Sequence, residues 1–287
     1  MKILVAYLAT SGGADAVVLG ARLARTLGTE LEIAMVLPPE KIVPLAPTGD
    51  FESVLAKQAA EWLAEATKLV ADDITVSTSI SYAESSAEGI IEAAERINAE
   101  AIVVGGGGGG LVGSHSLGSV VNELLHSSPI PIVLAPRGTR HSAIDRVREV
   151  TCAVGDRPGA DLLLSTAVRA AGAAGTPLRL VSLVALDSVG DGHKSDEAAL
   201  EEARVHANET VEQVKSKLPA DVEVSWSVVD GPSVEAAVNK LEWHDGDVIM
   251  VGSSRLGQAR RLFLGSTAAK MLRVLQVPMV VVPREES

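Results

Sequence analysis

The sequence predicts an α/β fold built as two tandem open parallel-sheet sandwiches, and three observations predict it. The chain repeats itself at one constant offset: Arg22, Ala24, Gly28, Thr29 and Leu31 recur 147 residues later as Arg169, Ala171, Gly175, Thr176 and Leu178. Further on, Gly105, Gly118, Ser119, Leu125, Pro131, Val133, Pro136 and Arg137 recur as Gly252, Gly265, Ser266, Leu272, Pro278, Val280, Pro283 and Arg284. A constant shift of that size makes each copy a complete structural unit, far longer than a solenoid repeat of about 20–50 residues. Within each copy, β-rich runs alternate with apolar residues at helical spacing. Such alternation argues for parallel strands joined by helical crossovers, with helices on both faces of the sheet. Each copy is long enough to bury about two-thirds of the surface of its unfolded chain and to hold its own core.

In the first copy the strands are predicted at Lys2 to Leu8, Glu30 to Leu37, Ile74 to Ile80, Ala101 to Val104 and Ile130 to Leu134. The helices fall between them. Ala14 to Leu27 is rich in small residues, Phe51 to Ala71 is a longer amphipathic segment, Ser85 to Ile97 opens on a serine cap, and Leu117 to His126 follows a glycine run. The second copy places strands near Glu149 to Val154, Pro177 to Val184, Glu223 to Val228, Val248 to Val251 and Met279 to Val282. The domains are expected at residues 1–138 and 148–287. The join, Gly138 to Arg148, is polar and short, and is expected to hold the domains close. Pro38 to Asp50 and Asp187 to Glu202 read as solvated loops.

Composition excludes several partners. A net charge of −12 with 2% aromatic residues supplies neither the basic field nor the stacking rings that nucleic acids require. Apolar stretches such as Ala101 to Gly113 are too short and glycine-rich for a spanning helix of roughly 20 residues, so no membrane partner is expected. Cys152 is the single cysteine, and the chain's start lacks a signal-peptide pattern, which together predict a cytoplasmic location.

The strongest chemical signal follows the fourth strand. Gly105 is followed by two residues, Gly108, nine residues, then Gly118 and Ser119; the second copy gives Gly252, Gly265 and Ser266 in register. Backbone N–H groups of a glycine loop, leading into a helix N-terminus, form an anion site of fixed positive dipoles. The other reading of Gly105 to Gly110 is a loop that binds nothing.

With this Gly-x-x-Gly-x9-Gly-Ser motif, its partial echo in the second copy, the opening Ile3-Leu4-Val5-Ala6 and the closing Pro131-Ile132-Val133-Leu134-Ala135-Pro136, the chain resembles the tandem branch of the universal stress protein family over nearly all its length. The resemblance implies the adenine nucleotide alpha-hydrolase-like sheet order 3-2-1-4-5, with ATP held between the first and fourth strands. That crevice is a topological switch point, where open α/β sheets place ligands. Carried over residue by residue, phosphate and ribose contacts fall on Gly105, Gly108, Gly118 and Ser119, and a main-chain contact to adenine on Val36. Their second-copy counterparts are Gly252, Gly265 and Ser266.

The chain departs from the family in one important place. An aspartate ends the first strand of nucleotide-binding members, but Leu8 and Gly155 stand there, with Asp156 one position late. Loss of a charged hydrogen bond, about 1.5–3 kcal/mol, predicts ATP affinity about ten- to a hundredfold weaker. The first copy keeps the glycines but has only His115 as a basic group between Gly105 and Ser119. The second keeps Arg255, Arg260 and Arg261 but puts a side chain where Gly108 stood. Arg260 and Arg261 equally suit a solvated helix face.

Other signals are weaker. The Gly-x-Gly-x-x-Gly at Gly105, Gly107 and Gly110 follows the wrong strand for a dinucleotide fold, and Gly192-His193-Lys194-Ser195 lacks the P-loop spacing. The histidines show no metal spacing, Cys152 has no adjacent base, and no serine sits in a nucleophile elbow. Trp62, Trp226 and Trp243 are scattered and are expected in core or interface packing. In the sheet order that the resemblance implies, the fifth strands, framed by Pro131 and Pro136 and by Pro278 and Pro283, are apolar sheet edges expected to pair with each other inside the chain. A homodimer is a further expectation. The function expected is a stress-response module, non-catalytic or at most a slow ATP hydrolase, with a weak adenine-nucleotide site in the first copy and a degraded one in the second. A nucleotide-independent interaction scaffold is the alternative.

Overall fold

The computed structural model describes residues 2–39, 51–106, 117–155, 160–185, 196–216, 223–253 and 262–283. The first half runs β1 (Lys2–Ala6), α1 (Ser11–Leu27), β2 (Glu30–Leu37), α2 (Phe51–Thr67), β3 (Val76–Tyr82), α3 (Ser86–Arg96), β4 (Ala99–Gly105), α4 (Ser119–Ser127) and β5 (Ile132–Ala135). A short 3-10 turn, Thr139–His141, leads into β6 (Glu149–Ala153), α5 (Ala160–Ala174), β7 (Leu178–Ala185), α6 (Asp196–Ser216), β8 (Val224–Gly231), α7 (Val234–Val238), β9 (Asp247–Gly252), α8 (Ser266–Leu272) and β10 (Met279–Val282).

All ten strands form one sheet, ordered β3-β2-β1-β4-β5-β10-β9-β6-β7-β8. Each half thus has the order 3-2-1-4-5. Neighbours within a half are parallel, whereas β5 and β10 pair antiparallel through Leu134 with Met279, Val133 with Val280 and Ile132 with Val281. The prolines at either end confine that ladder, since proline donates no hydrogen bond. Alternation along the strands then divides the core. Ile3 and Val5 pack with α1, α2, α5 and α6 on one face, and Leu4 packs with α3, α4, α7 and α8 on the other. Both cores run unbroken across the seam.

Local chemistry sets the helix starts. Thr10 accepts a hydrogen bond from the Gly13 N–H at 3.1 Å, and Ser85 accepts one from Glu88 at 3.2 Å, so each hydroxyl satisfies an orphan donor of the first turn. Several expected boundaries shift. β1 stops at Ala6 rather than Leu8, because the chain folds into a turn in which Thr10 N–H donates to the Leu8 carbonyl at 2.7 Å. Residues 196–202, read as loop, are the opening turns of α6. Trp62 and Trp226 are 40% and 47% exposed rather than packed in a core, while Trp243 is half-buried.

The join is docked along α1, as its polarity suggested. The buried Asp15 carboxylate accepts from Gly138 N–H at 3.1 Å and Arg140 N–H at 2.9 Å, and pairs with the Arg140 guanidinium at 2.9 Å. Arg22 donates from Nε to the Ile144 carbonyl at 2.9 Å and from Nη2 to Ser142 Oγ, and Thr26 Oγ1 accepts from Val147 N–H at 2.9 Å. Among the described residues the second half shows no such clamp: Asp15 corresponds to Leu162, and Arg169, the counterpart of Arg22, is exposed.

Candidate functional site

The C-terminal ends of β1, β2 and β4 and the first turn of α4 enclose a cavity of about 270 Å³. Small-molecule sites usually fall between about 300 and 1,000 Å³, so this one lies at the compact end. Val36, Gly105, Gly118 and Ser119, four of the residues singled out in the sequence, all line it. Gly108 lies outside the described residues. Gly118 is the N-cap of α4 in extended conformation and supplies no side-chain cap. The first intrahelical bond is Asn122 N–H to the Gly118 carbonyl at 2.9 Å, so the N–H groups of Ser119, Val120 and Val121 have no partner in the helix, and all three residues face the cavity. Their aligned dipoles make that wall electropositive without a cationic side chain.

Close backbone approach explains one glycine. A Cβ on Gly105 would lie 1.8 Å from the Gly12 carbonyl oxygen, and one on Gly12 would lie 2.0 Å from the Gly106 carbonyl oxygen. The start of α1 and the end of β4 therefore touch main chain to main chain, and only glycine permits it. The sequence reading gave Gly105 a ligand role; packing alone already requires it. Gly12, Gly13 and Thr10 were missed, although Thr-Ser-Gly-Gly ahead of an apolar helical run is an N-cap signal that could have found them.

The wall around Leu8 is apolar. Leu8 borders the cavity and is 57% exposed, with Ala34, Val36 and Ile90 forming the adjoining wall. Tyr7 also borders it, and burial pushes its phenol up, with the Glu65 charge adding to the effect. Ile90 was missed because helical periodicity marks only a core face, which it also serves.

The second half does not reproduce this arrangement in its described residues. Gly252 is exposed and a Cβ there would meet Leu163 Cδ2 at an ordinary 3.6 Å. Gly265 caps α8 without a side-chain bond, Ser266 is exposed, and the helix has 7 residues against 9 in α4. Arg255, Arg260, Arg261 and Asp156 lie outside the described residues. From Leu262 onward the second half is docked on the first: Leu262 N–H donates to the Ser128 carbonyl at 2.9 Å and Leu264 N–H to the Leu125 carbonyl at 3.2 Å. Phe263 meets His126 edge-on at 4.9 Å. These bonds satisfy carbonyls at the C-terminal end of α4, the helix whose other end lines the cavity.

Among the described residues no group of three His, Cys, Asp or Glu side chains is arranged to hold a metal, and no helix is long and apolar enough to cross a membrane. Cys152 is fully buried in β6, which pushes its thiol up to about 12.

A sheet of this order with a cavity at its crossover point defines a class of two-lobed α/β proteins. The universal stress protein family model matches residues 1–136 and 146–283, and the chain belongs to that family as a tandem member. It is 28% identical over 296 residues to universal stress proteins of Mycobacterium tuberculosis and Mycobacterium bovis, an alignment spanning 99% of this chain and 100% of each relative. Its fold is similar to that of a universal stress protein from Archaeoglobus fulgidus, with TM-score 0.69 and 21% identity over 99% of this chain and 98% of that one. A putative universal stress protein from Pseudomonas aeruginosa gives TM-score 0.57 and 19% identity over 99% and 93%.

Proposed function

We propose that the chain is a stress-response module whose first half holds an adenine nucleotide, ATP, weakly, and whose second half serves as a structural partner with a degraded site. The observation that carries this reading is the convergence of Val36, Gly105, Gly118 and Ser119 on one cavity beside the uncapped N-terminus of α4. Phosphate oxygens suit the N–H groups there, and the base suits the apolar wall of Leu8, Ala34, Val36 and Ile90. Each helix-terminus interaction supplies about 0.3–1 kcal/mol when exposed, up to roughly 2 when partly buried, well short of the about 8 kcal/mol of micromolar binding. With the Leu8 side chain supplying no hydrogen bond, the affinity lies about ten- to a hundredfold below that of an aspartate-bearing site.

Calorimetric titration with ATP tests the reading. Weak saturable binding is expected in the native chain and none in Gly118→Asp, where a carboxylate would stand beside the phosphates. Equal ATP affinity in the two proteins overturns the assignment. Absence of binding in both leaves the interaction-scaffold reading standing in its place, and ADP accumulating in the mixture would add slow hydrolysis.

A further inference from the structure

A second cavity, of about 350 Å³, lies at the seam between the halves. Its walls come from α1 through Arg22, from the join through residues 136–139, His141 and Ser142, and from the second half through residues 243–246 and 276–278. We propose that this seam cavity is a binding site for a small oxyanion carrying phosphate or carboxylate groups.

Charge is the first argument. The chain carries a net charge of −12, yet the residues lining this cavity include two arginines, Arg22 and Arg137, against one acid, Asp245, with the His141 and His244 rings as further hydrogen-bonding groups. The second argument is the state of Arg22. Its side chain is 2% exposed, and Nη1 lies 3.5 Å from Asp245 Oδ1, on a side chain that is itself 54% exposed. Ser142 Oγ, which accepts from Arg22 Nη2, donates onward to Asp245 Oδ2 at 2.6 Å, so Ser142 rather than Arg22 holds this exposed carboxylate most closely at the cavity wall. Burial disfavours the charge of Arg22, and Asp245 and Asp145 offset this only in part. A guanidinium presents a planar fork of donors that matches carboxylate and phosphate oxygens. An incoming oxyanion would take the place of Asp245 beside Arg22, with Arg137 and His141 closing on it from the join. His244 contributes less, since its ring faces the buried Asp247 carboxylate at 3.5 Å.

The site is independent of the cavity beside α4, and Trp243 in its wall reports on it. In a Trp62→Phe/Trp226→Phe protein, Trp243 is the remaining indole; both replaced rings are substantially exposed, so the fold is retained. Titration with pyrophosphate and with succinate, at ionic strength held constant with chloride, is expected to change its emission saturably. Saturation by pyrophosphate alone assigns a phosphate ligand, and saturation by succinate as well assigns a general oxyanion site. Adding Arg137→Ser and His141→Ser, both exposed positions, should weaken binding about tenfold or more. Gly118→Asp should leave the titration unchanged. A response no larger than the chloride control, equal affinity after the two serine substitutions, or loss of the signal in Gly118→Asp would each overturn the proposal.

Discussion

The guanidinium of Arg179 lies 4.8 Å from the ring centroid of Trp243, while the same two repeat positions in the first half hold Glu32 and Arg96, paired at 3.7 Å. The fold keeps the contact and exchanges its chemistry. Around it, Arg179 Nε meets Thr151 Oγ1 and Glu149 Oε1, both at 3.0 Å, whereas Glu32 accepts from Ser79 Oγ at 2.7 Å and pairs with Lys2 at 3.7 Å. Trp243→Leu is therefore expected to destabilise the protein by about 0.5–2 kcal/mol through loss of the cation–π contact. Arg96→Leu removes an ion pair from a side chain that is 56% exposed and should cost about 1 kcal/mol or less. Urea unfolding of the two variants checks the difference.

The glycine pair at the start of α1 and end of β4 makes a second prediction. Gly105→Ala would drive a methyl into the Gly12 carbonyl, so main chain must move, and overpacking of this kind costs about 1–3 kcal/mol. Gly252→Ala, at the matching position of the second half, meets only Leu163 at 3.6 Å and should be neutral. Thermal unfolding of both variants, read side by side, tests whether the halves have diverged here.

Leu8→Asp restores a carboxylate at the rim of the first cavity. Leu8 is 57% exposed, so stability should be nearly unchanged, while ATP affinity should rise about ten- to a hundredfold. Calorimetry on the variant gives the answer. An unchanged affinity would mean that the base does not sit against Leu8.

Cys152 should resist thiol reagents in the native protein, because it is fully buried and its thiol is pushed up to about 12. At pH 8 the native thiol is the unreactive, protonated form, and exposure on unfolding returns it to the ordinary thiol range. The labelling rate is expected to rise with denaturant in step with unfolding of the second half. Rapid modification of the folded chain would contradict the placement of β6.

These contrasts mark what could be read from residues alone. The repeat and the alternation of strands with helices follow from periodicity, a local signal, whereas the pairing of β5 with β10 rested on the sheet order that the family resemblance implies. The site was half legible. Gly105, Gly118 and Ser119 stand in a spaced motif, but Thr10 and Gly12 meet them only after the sheet brings β1 beside β4. The clamp on the join was invisible, since Asp15 holds Gly138 and Arg140 across more than 120 residues and has no counterpart in the second copy to flag it. Of the core and interface roles expected for the tryptophans, exposure rules out the core for Trp62 and Trp226, the latter standing on the edge strand β8.

Joining β5 to β10 within one polypeptide has a last effect. In a homodimer assembled about a twofold axis, any substitution near that axis appears on both sides at once, so a residue that helps one partner must also be tolerated by the other. Covalent linkage lifts this constraint. Here α1 has become a mooring for the connecting segment while α5 has not, so exchanging the order of the two lobes would strand Asp15 and Arg22 far from the segment they secure.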